Sequence, residues 1–371
     1  MRKLGNASLS AASLLSLACG GFAVPGWATA ASASPPPGPC DVYASNGTPC
    51  VAAYSSTRAL FSGYSGALYQ VQREADGQTA DVSVQSAGGF ANAAAKDSFC
   101  AGTRCTVTKV YDQTARHNDL TIQGPGGNGG QDTGVPAAAF PTTAAGHRVY
   151  GLYFSGGMGY RDDHTSGVPT GAEPQGAYMV ADGTHVNANC CFDFGNAETN
   201  DNDNGNAHMD AVYLGQLCTP DTVNCVNSAA GVSPLYRGPW VEADLENGLF
   251  GSDVGGPVNP GSMGWADPFV TAVVENDGLS TLTLKAGSAQ SGALSTEYSG
   301  PLPWVNGGPA PWGAAGYSPM QQEGAIVLGV GGDNSNSDVG TFFEGVITAG
   351  VPTAAADDAV QANIVAVGYG A

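Results

Sequence analysis

The sequence is poor in positive charge. It contains 12 lysines and arginines against 32 aspartates and glutamates in 371 residues, and its formal net charge is -20. A chain with this balance repels polyanions, which argues against nucleic acids and anionic membrane surfaces as partners. The same charge keeps a secreted protein in solution.

The sequence also lacks the patterns that hold a metal or cross a membrane. Its five histidines are scattered, with no HExxH segment and no Cys/His spacing typical of zinc sites. The Asn-rich run 200–206 lacks the acidic ligands and closing glutamate of an EF-hand, so we interpret it as a surface turn. Beyond the N-terminal segment, no apolar run reaches the ~20 residues of a membrane helix. We therefore predict no metal, no organic cofactor and no membrane partner.

The N-terminal segment predicts secretion. Two basic residues precede an apolar run over 7–24, and small residues over 28–33 offer cleavage sites. We therefore assign 1–33 to a signal peptide and expect an extracellular monomer. A lipoprotein anchored through Cys19 is the weaker alternative, because Ser16 stands where a lipobox usually has leucine.

The cysteines suggest a disulfide framework. Without Cys19, eight remain, which is an even number in an oxidising compartment. Eight cysteines allow about 105 pairings, and bonds between neighbours in sequence are the most economical. These would be Cys40–Cys50, Cys100–Cys105, Cys218–Cys225 and Cys190–Cys191.

Cys190 and Cys191 are adjacent, which is unusual for a structural disulfide. Neighbouring Cα atoms across a trans peptide lie ~3.8 Å apart, whereas an ordinary disulfide joins Cα atoms ~4.4–6.8 Å apart. A bond between the two closes a strained, rigid ring, and such strain is often found at binding sites. The alternative is that each cysteine bonds a distant partner or stays buried and reduced.

Turn-forming residues divide the chain into short segments. The 55 glycines and 23 prolines separate runs rich in β-branched and aromatic residues, which favours an all-β fold, either a β-sandwich or a barrel. Of these we predict a β-sandwich of the jelly-roll, concanavalin-like type. Helical periodicity is confined to 86–99 and 355–367. No internal repeat or later linker is visible, so a short Pro-rich linker over 34–39 leads into one domain over 40–371. The predicted strands are 106–111, 150–154, 176–181, 209–214, 239–245, 269–274, 325–330 and 341–347.

Three carboxylates recur at every second position of the segment WVEADLENGLF, namely Glu242, Asp244 and Glu246. In a strand this spacing puts all three on one face. Crowded carboxylates raise each other's pKa, which is how a general acid stays protonated near neutral pH. A solvated outer face is the alternative interpretation.

A further acidic candidate lies in the segment AIVLGVGGDNSNSD. Gly331 and Gly332 would let the backbone approach a ligand closely, and Asp333 follows where the chain leaves the sheet. The alternative is that Asp333 only caps a turn.

These segments resemble the catalytic domain of fungal-type α-L-arabinofuranosidases of glycoside hydrolase family 54. The resemblance runs from GPCDVYASNGTPCVAAYSS, which begins at Gly38, to EGAIVLGVGGDNSN, which ends at Asn336. It includes KDSFCAGTRCTVTKVYDQ, NANCCFDFGNAET and GPWVEADLENGLF. The resemblance implies a β-sandwich hydrolase that removes terminal arabinofuranosyl groups from arabinose-containing plant cell-wall polysaccharides, with retention of anomeric configuration.

The resemblance also implies roles for individual residues. Glu246, in the D-x-E-N motif, matches the family's nucleophile, and Asp333, in GGDNSN, matches its acid/base. The matched bonds Cys40–Cys50 and Cys100–Cys105 are disulfides in the family. The residues implied to contact the sugar are Asp244, Asn247, Gly332 and a vicinal disulfide of Cys190 and Cys191.

Two features depart from the family pattern. Loop 216–237 lacks the family's site tryptophan and carries Cys218 and Cys225 instead, which leaves the substrate preference open. Many members also carry a C-terminal arabinose-binding β-trefoil domain, which we do not expect here, so affinity for insoluble arabinoxylan should be weaker. The alternatives are a β-xylosidase or galactofuranosidase on the same scaffold, or a non-catalytic carbohydrate-binding sandwich. The pair Glu246 and Asp333 favours an enzyme, because a binding module needs neither.

Overall fold

Two β-sheets form the framework of the structure. The computed structural model describes residues 35–216, 238–246, 249–251, 255–259, 261–303 and 317–371, without the side chains of 255–258. The predicted signal peptide lies outside these residues. The strands are β1 Cys50–Ser55, β2 Ala67–Arg73, β3 Thr79–Ser83, β4 Cys105–Val110, β5 Leu120–Ile122, β6 Phe140–Ala144, β7 His147–Ser155, β8 Tyr160–Asp162, β9 Gln175–Ala181, β10 Asp193–Ala197, β11 Asp210–Gly215, β12 Trp240–Asp244, β13 Leu249–Gly251, β14 Gly255–Val258, β15 Val270–Asn276, β16 Thr281–Ser288, β17 Ser295–Pro301, β18 Ala325–Leu328 and β19 Val339–Ala349.

The two sheets have different strand orders. The smaller sheet follows β17-β16-β15-β9-β19-β7-β6, with β1 also paired to β19. The larger sheet follows β14-β13-β12-β11-β10-β18-β8-β5-β4-β2-β3. Pairing is antiparallel except between β13 and β14. Because β10 and β18 are antiparallel neighbours in the larger sheet although distant in sequence, the segment that follows β18 is brought beside the segment that precedes β10.

The core lies between the inner faces of the two sheets. Phe194 of β10 and Phe342 of β19 are fully buried, and their ring centroids lie 5.5 Å apart. Val241 and Ala243 of β12 join the same apolar core. The prediction of a β-sandwich is confirmed. Since side chains alternate along a strand, Glu242 and Asp244 point to the opposite face of the larger sheet.

The predicted strands correspond to β4, β7, β9, β11, β12, β15, β18 and β19, with ends shifted by a few residues. The helix predicted over 86–99 is wrong in its first half, since α2 spans only Ala93–Phe99. Gly88 has a φ of +67°, which interrupts a helix, and Asn92 caps α2 by accepting the Ala95 N–H. Helix α1 spans Pro39–Ser45 and the closing helix α3 spans Ala354–Val367. Among the described helices, none has the length and apolarity needed to cross a membrane.

Candidate active site

Strand β12 leads directly into the first candidate carboxylates. The strand ends at Asp244, and Glu246 has a φ of +66°. Its N–H donates a hydrogen bond of 3.0 Å to Asp244 Oδ1, which fixes the turn. The prediction that three carboxylates share one strand face therefore holds for Glu242 and Asp244 but is wrong for Glu246. A left-handed conformation in a non-glycine residue is strained by about 1–3 kcal/mol and is most often found at functional sites.

These carboxylates are buried, so the alternative of a solvated outer face is excluded. The exposed fractions are 0% for Glu242, 7% for Asp244 and 8% for Glu246. Burial raises the pKa of Asp244 to about 7, although the Glu246 N–H partly opposes this shift. Burial also raises the pKa of Glu246, and the neighbouring carboxylates of Glu198 and Asp244 raise it further.

The glycine-rich turn after β18 meets this segment. A Cβ atom on Gly332 would overlap with Glu198 Oε2 and would lie 3.0 Å from Glu246 Oε2. Any other residue at this position would therefore have to displace one of these carboxylates. Asp333 follows immediately, and its charge contributes to the raised pKa of Asp244, so the turn places Asp333 within electrostatic reach of the β12 carboxylates.

Asp333 is half-buried and its orientation is set within its own turn. Its Oδ1 accepts hydrogen bonds from the Ser335 N–H at 2.9 Å and from the Ser335 hydroxyl at 2.7 Å. The turn-cap interpretation thus describes its local contacts. A cap and a catalytic role are compatible, because the hydrogen bonds engage Oδ1 and none of them involves Oδ2.

A second glycine-rich loop, 124–131, supports the Asp333 turn from outside. The Asn128 N–H donates to the Asp333 carbonyl at 2.9 Å. The Asn334 side chain donates to the carbonyls of Gly124 and Gly130 at 3.0 and 2.7 Å. A Cβ on Gly126 would lie 2.7 Å from the Asp333 carbonyl oxygen. Sequence analysis missed this loop, although its run of glycines was a visible signal.

The adjacent cysteines lie at the same place. Cys190 and Cys191 are joined by a disulfide, and Cys191 Sγ lies 3.6 Å from Asp244 Oδ2. The Cys191 N–H donates to the Ser335 carbonyl at 3.1 Å, so the pair contacts both acidic segments. The structure also contains the disulfides Cys40–Cys50 and Cys100–Cys105. Asn247 and the predicted Cys218–Cys225 bond lie outside the described residues.

The two sulfurs and the Asp244 carboxylate are close enough together to be considered as metal ligands. The form of cysteine that binds a metal is the thiolate, and sulfurs bonded to each other are not thiolates. We therefore assign no metal to this group.

Sequence analysis missed two buried charged residues, Glu198 and Arg161. Glu198 follows β10 and its carboxylate faces Glu246. Arg161 of β8 donates from Nη1 to the Gly332 carbonyl at 2.7 Å and from Nη2 to the Glu198 carbonyl, and it pairs with Asp163 and, at 3.0 Å, with Asp201. Arg161 therefore ties together the backbones of the two segments that meet at the site. No spacing in the sequence links these residues, because they are brought together by the β10–β18–β8 pairing.

The chain is similar to known proteins over most of its length. Residues 39–370 match the family described as "Alpha-L-arabinofuranosidase B, catalytic". A "Probable alpha-L-arabinofuranosidase B" of Aspergillus fumigatus is 49% identical over 337 residues, covering 90% of this chain and 62% of the relative. An "Arabinofuranosidase/B-xylosidase" of Trichoderma koningii is 48% identical over 338 residues, covering 90% and 63%.

A solved arabinofuranosidase complexed with arabinofuranosyl-alpha-1,2-xylobiose superposes with a TM-score of 0.79 at 44% identity. The match covers 90% of this chain and 65% of that one, and the chain thus spans slightly less than two thirds of these proteins. The chain belongs to the family of alpha-L-arabinofuranosidase B catalytic domains.

Proposed function

We propose that this protein is a secreted, exo-acting, retaining α-L-arabinofuranosidase that acts on arabinoxylan- and arabinan-type polysaccharides. One observation carries the proposal: the segments of Glu246 and Asp333 meet at Gly332, where a side chain would collide with the carboxylates. Two carboxyl groups about 5–5.5 Å apart are what a retaining glycosidase requires. The nearby vicinal disulfide supplies a stiff apolar surface for a small furanose ring.

In this mechanism Glu246 is the nucleophile and Asp333 is the acid/base. Glu246 attacks the anomeric carbon while Asp333 gives its proton to the departing glycosidic oxygen, which leaves an arabinosyl ester on Glu246. Asp333 then takes a proton from water, the water attacks the anomeric carbon, and Glu246 is released as a carboxylate. The partial exposure of Asp333 suits this exchange of leaving group and water, whereas Glu246 is buried.

Substrate orientation is assigned to the groups around this pair. Asp244, held 3.6 Å from Cys191 Sγ, would accept hydrogen bonds from sugar hydroxyls, and Asn247 and Gly332 would contact the same ring. A rigid disulfide wall loses no side-chain entropy when the ring binds against it. The complex of the related arabinofuranosidase with an arabinose-substituted xylobiose supports arabinoxylan as a substrate.

The proposal is tested by hydrolysis of 4-nitrophenyl α-L-arabinofuranoside. Wild type should be active, and Glu246→Ala should lose nearly all turnover because the carboxylate that forms the ester is removed. Glu74→Ala is the matched control. Glu74 is an exposed carboxylate whose side chain pairs with Arg104, which is not a residue of the candidate site. An inactive, folded wild type, or a Glu246→Ala variant as active as the control, would refute the proposal.

A β-xylosidase is the second candidate, because the Trichoderma koningii relative carries both activities in its name. The same variants assayed on 4-nitrophenyl β-D-xyloside decide this point. A higher kcat/KM on the xyloside than on the arabinofuranoside would make xylosidase the principal activity.

A further inference from the structure

The carboxylate of Glu198 is buried against the proposed nucleophile, and the mechanism above does not use it. Glu198 has no exposed surface, and neither of its carboxylate oxygens accepts a hydrogen bond from a donor group in the described part of the chain. Its neighbour is the carboxylate of Glu246, because a Cβ atom on Gly332 would overlap with Glu198 Oε2 and would lie 3.0 Å from Glu246 Oε2. The charge on Glu198 also raises the pKa of Glu246. Two carboxyl groups can hydrogen-bond to each other only if one of them carries a proton.

Among the residues that the structure describes, the pair has little positive charge around it. Arg161 directs its Nη1 and Nη2 atoms at the carbonyls of Gly332 and Glu198, and its Nε at Asp163 and Asp201, so it does not contact the Glu198 carboxylate. In the described part of the chain, the ionisable groups that also act on the pair include Asp244, Asp203, Glu323 and Tyr317. A second negative charge at this place would be buried without a partner, which is strongly unfavourable.

Building on the proposed function, we propose that Glu198 is a positioning residue that shares one proton with Glu246 and thereby orients the nucleophile throughout the reaction. With the proton on Glu198, one oxygen of Glu246 accepts its hydrogen bond and the other is free to attack the sugar. The same hydrogen bond reaches the ester carbonyl in the intermediate and the departing carboxylate when water attacks. The proton stays within the pair in both steps, so Asp333 remains the group that exchanges protons with the substrate.

This sharing predicts an alkaline limit to activity that belongs to the pair. When the shared proton is lost, two adjacent carboxylates repel each other and Glu246 loses its orientation. Glu198→Gln keeps a hydrogen-bond donor and the shape of the side chain but cannot ionise. Glu198→Ala removes both the donor and the side chain.

The test uses an Asp333→Ala background with 4-nitrophenyl α-L-arabinofuranoside, whose leaving group needs no proton. This removes the alkaline limb that comes from Asp333. In this background, once the pH is high enough to remove the shared proton, kcat/KM should fall about tenfold per pH unit when Glu198 is present. With Glu198→Gln it should stay within about twofold over the same range, and with Glu198→Ala kcat should be about 10–100-fold lower at every pH. Asp244→Asn is the control, because burial raises the pKa of Asp244 to about 7.

Three results would overturn the inference. The first is an alkaline limb unchanged by Glu198→Gln, and the second is a limb removed by Asp244→Asn alone. The third result comes from thermal unfolding and needs no activity.

A shared proton makes the folded protein bind a proton more tightly than the unfolded chain. Wild type should therefore lose thermal stability as pH rises from 5 to 9 more steeply than Glu198→Gln. Equal slopes of stability against pH in the two proteins would overturn the inference, whereas an inactive wild type with unequal slopes would count against the proposed function only.

Discussion

Adding a single methyl group at Gly332 should disable the site without unfolding the protein. In Gly332→Ala the new Cβ would overlap with Glu198 Oε2 and approach Glu246 Oε2 to 3.0 Å. Ordinary contact begins near 3.4 Å, so the Glu198 carboxylate would have to move by about 1 Å, and the Glu246 carboxylate, also inside this limit, would shift with it. A displacement of about 1 Å at a reacting group lowers turnover about 100-fold.

The assay is kcat on 4-nitrophenyl α-L-arabinofuranoside, with the melting temperature measured in parallel. Gly63→Ala is the matched control, because a Cβ at Gly63 meets no atom within 4 Å and its φ is not in the left-handed region. We expect a loss of about 100-fold in kcat for Gly332→Ala and no change for Gly63→Ala. A folded Gly332→Ala enzyme with wild-type kcat would refute the placement of Glu198 and Glu246 against this turn.

Three further predictions concern separate parts of the molecule. Asp333→Ala should lose more activity on arabinofuranosyl-xylobiose than on the 4-nitrophenyl glycoside, by about 10²–10⁴-fold, because only the natural leaving group needs a proton; equal losses would contradict the acid role. Replacing both cysteines of the vicinal disulfide with alanine should raise KM with little effect on kcat, and an unchanged KM would return the pair to a structural role. Asp210 is fully buried, and burial raises its pKa from 3.8 to about 7, so its contribution to folding is most favourable below pH 4 and declines as pH rises to 7. Relative to wild type, Asp210→Asn should therefore gain up to about 4 kcal/mol between pH 4 and pH 8, measured by thermal unfolding; a difference independent of pH would contradict this.

Local signals in the sequence were enough to predict the sandwich. Each of the eight predicted strands corresponds to a strand of the structure, because their β-branched and aromatic runs end at turn-forming residues. The closing helix was also predicted, and its ends are fixed by Thr353, which caps it, and by Gly368 in the left-handed region. The helix prediction was wrong over 86–92, because the turn at Gly88 overrides an apolar pattern of helical spacing.

The site was predictable only as far as its motifs extend. The segments of Glu246 and Asp333 could be found from the chain because each has a distinctive local sequence. That β12 ends before Glu246 could not be predicted from the sequence, since a positive φ in glutamate depends on the Asp244 hydrogen bond and on surrounding packing. Glu198 and Arg161 could not be found for a different reason: their importance comes from strand pairing between distant parts of the chain.

The most direct test is to identify the residue that carries the sugar during the reaction. Asp333→Ala lacks the base for the second step, so an intermediate should accumulate when it is mixed with 4-nitrophenyl α-L-arabinofuranoside and quenched in acid. Peptide mass spectrometry should then find one arabinosyl group on Glu246. No adduct in an active preparation, or an adduct on Glu198 or Asp244 instead, would contradict the assignment of Glu246 as the nucleophile.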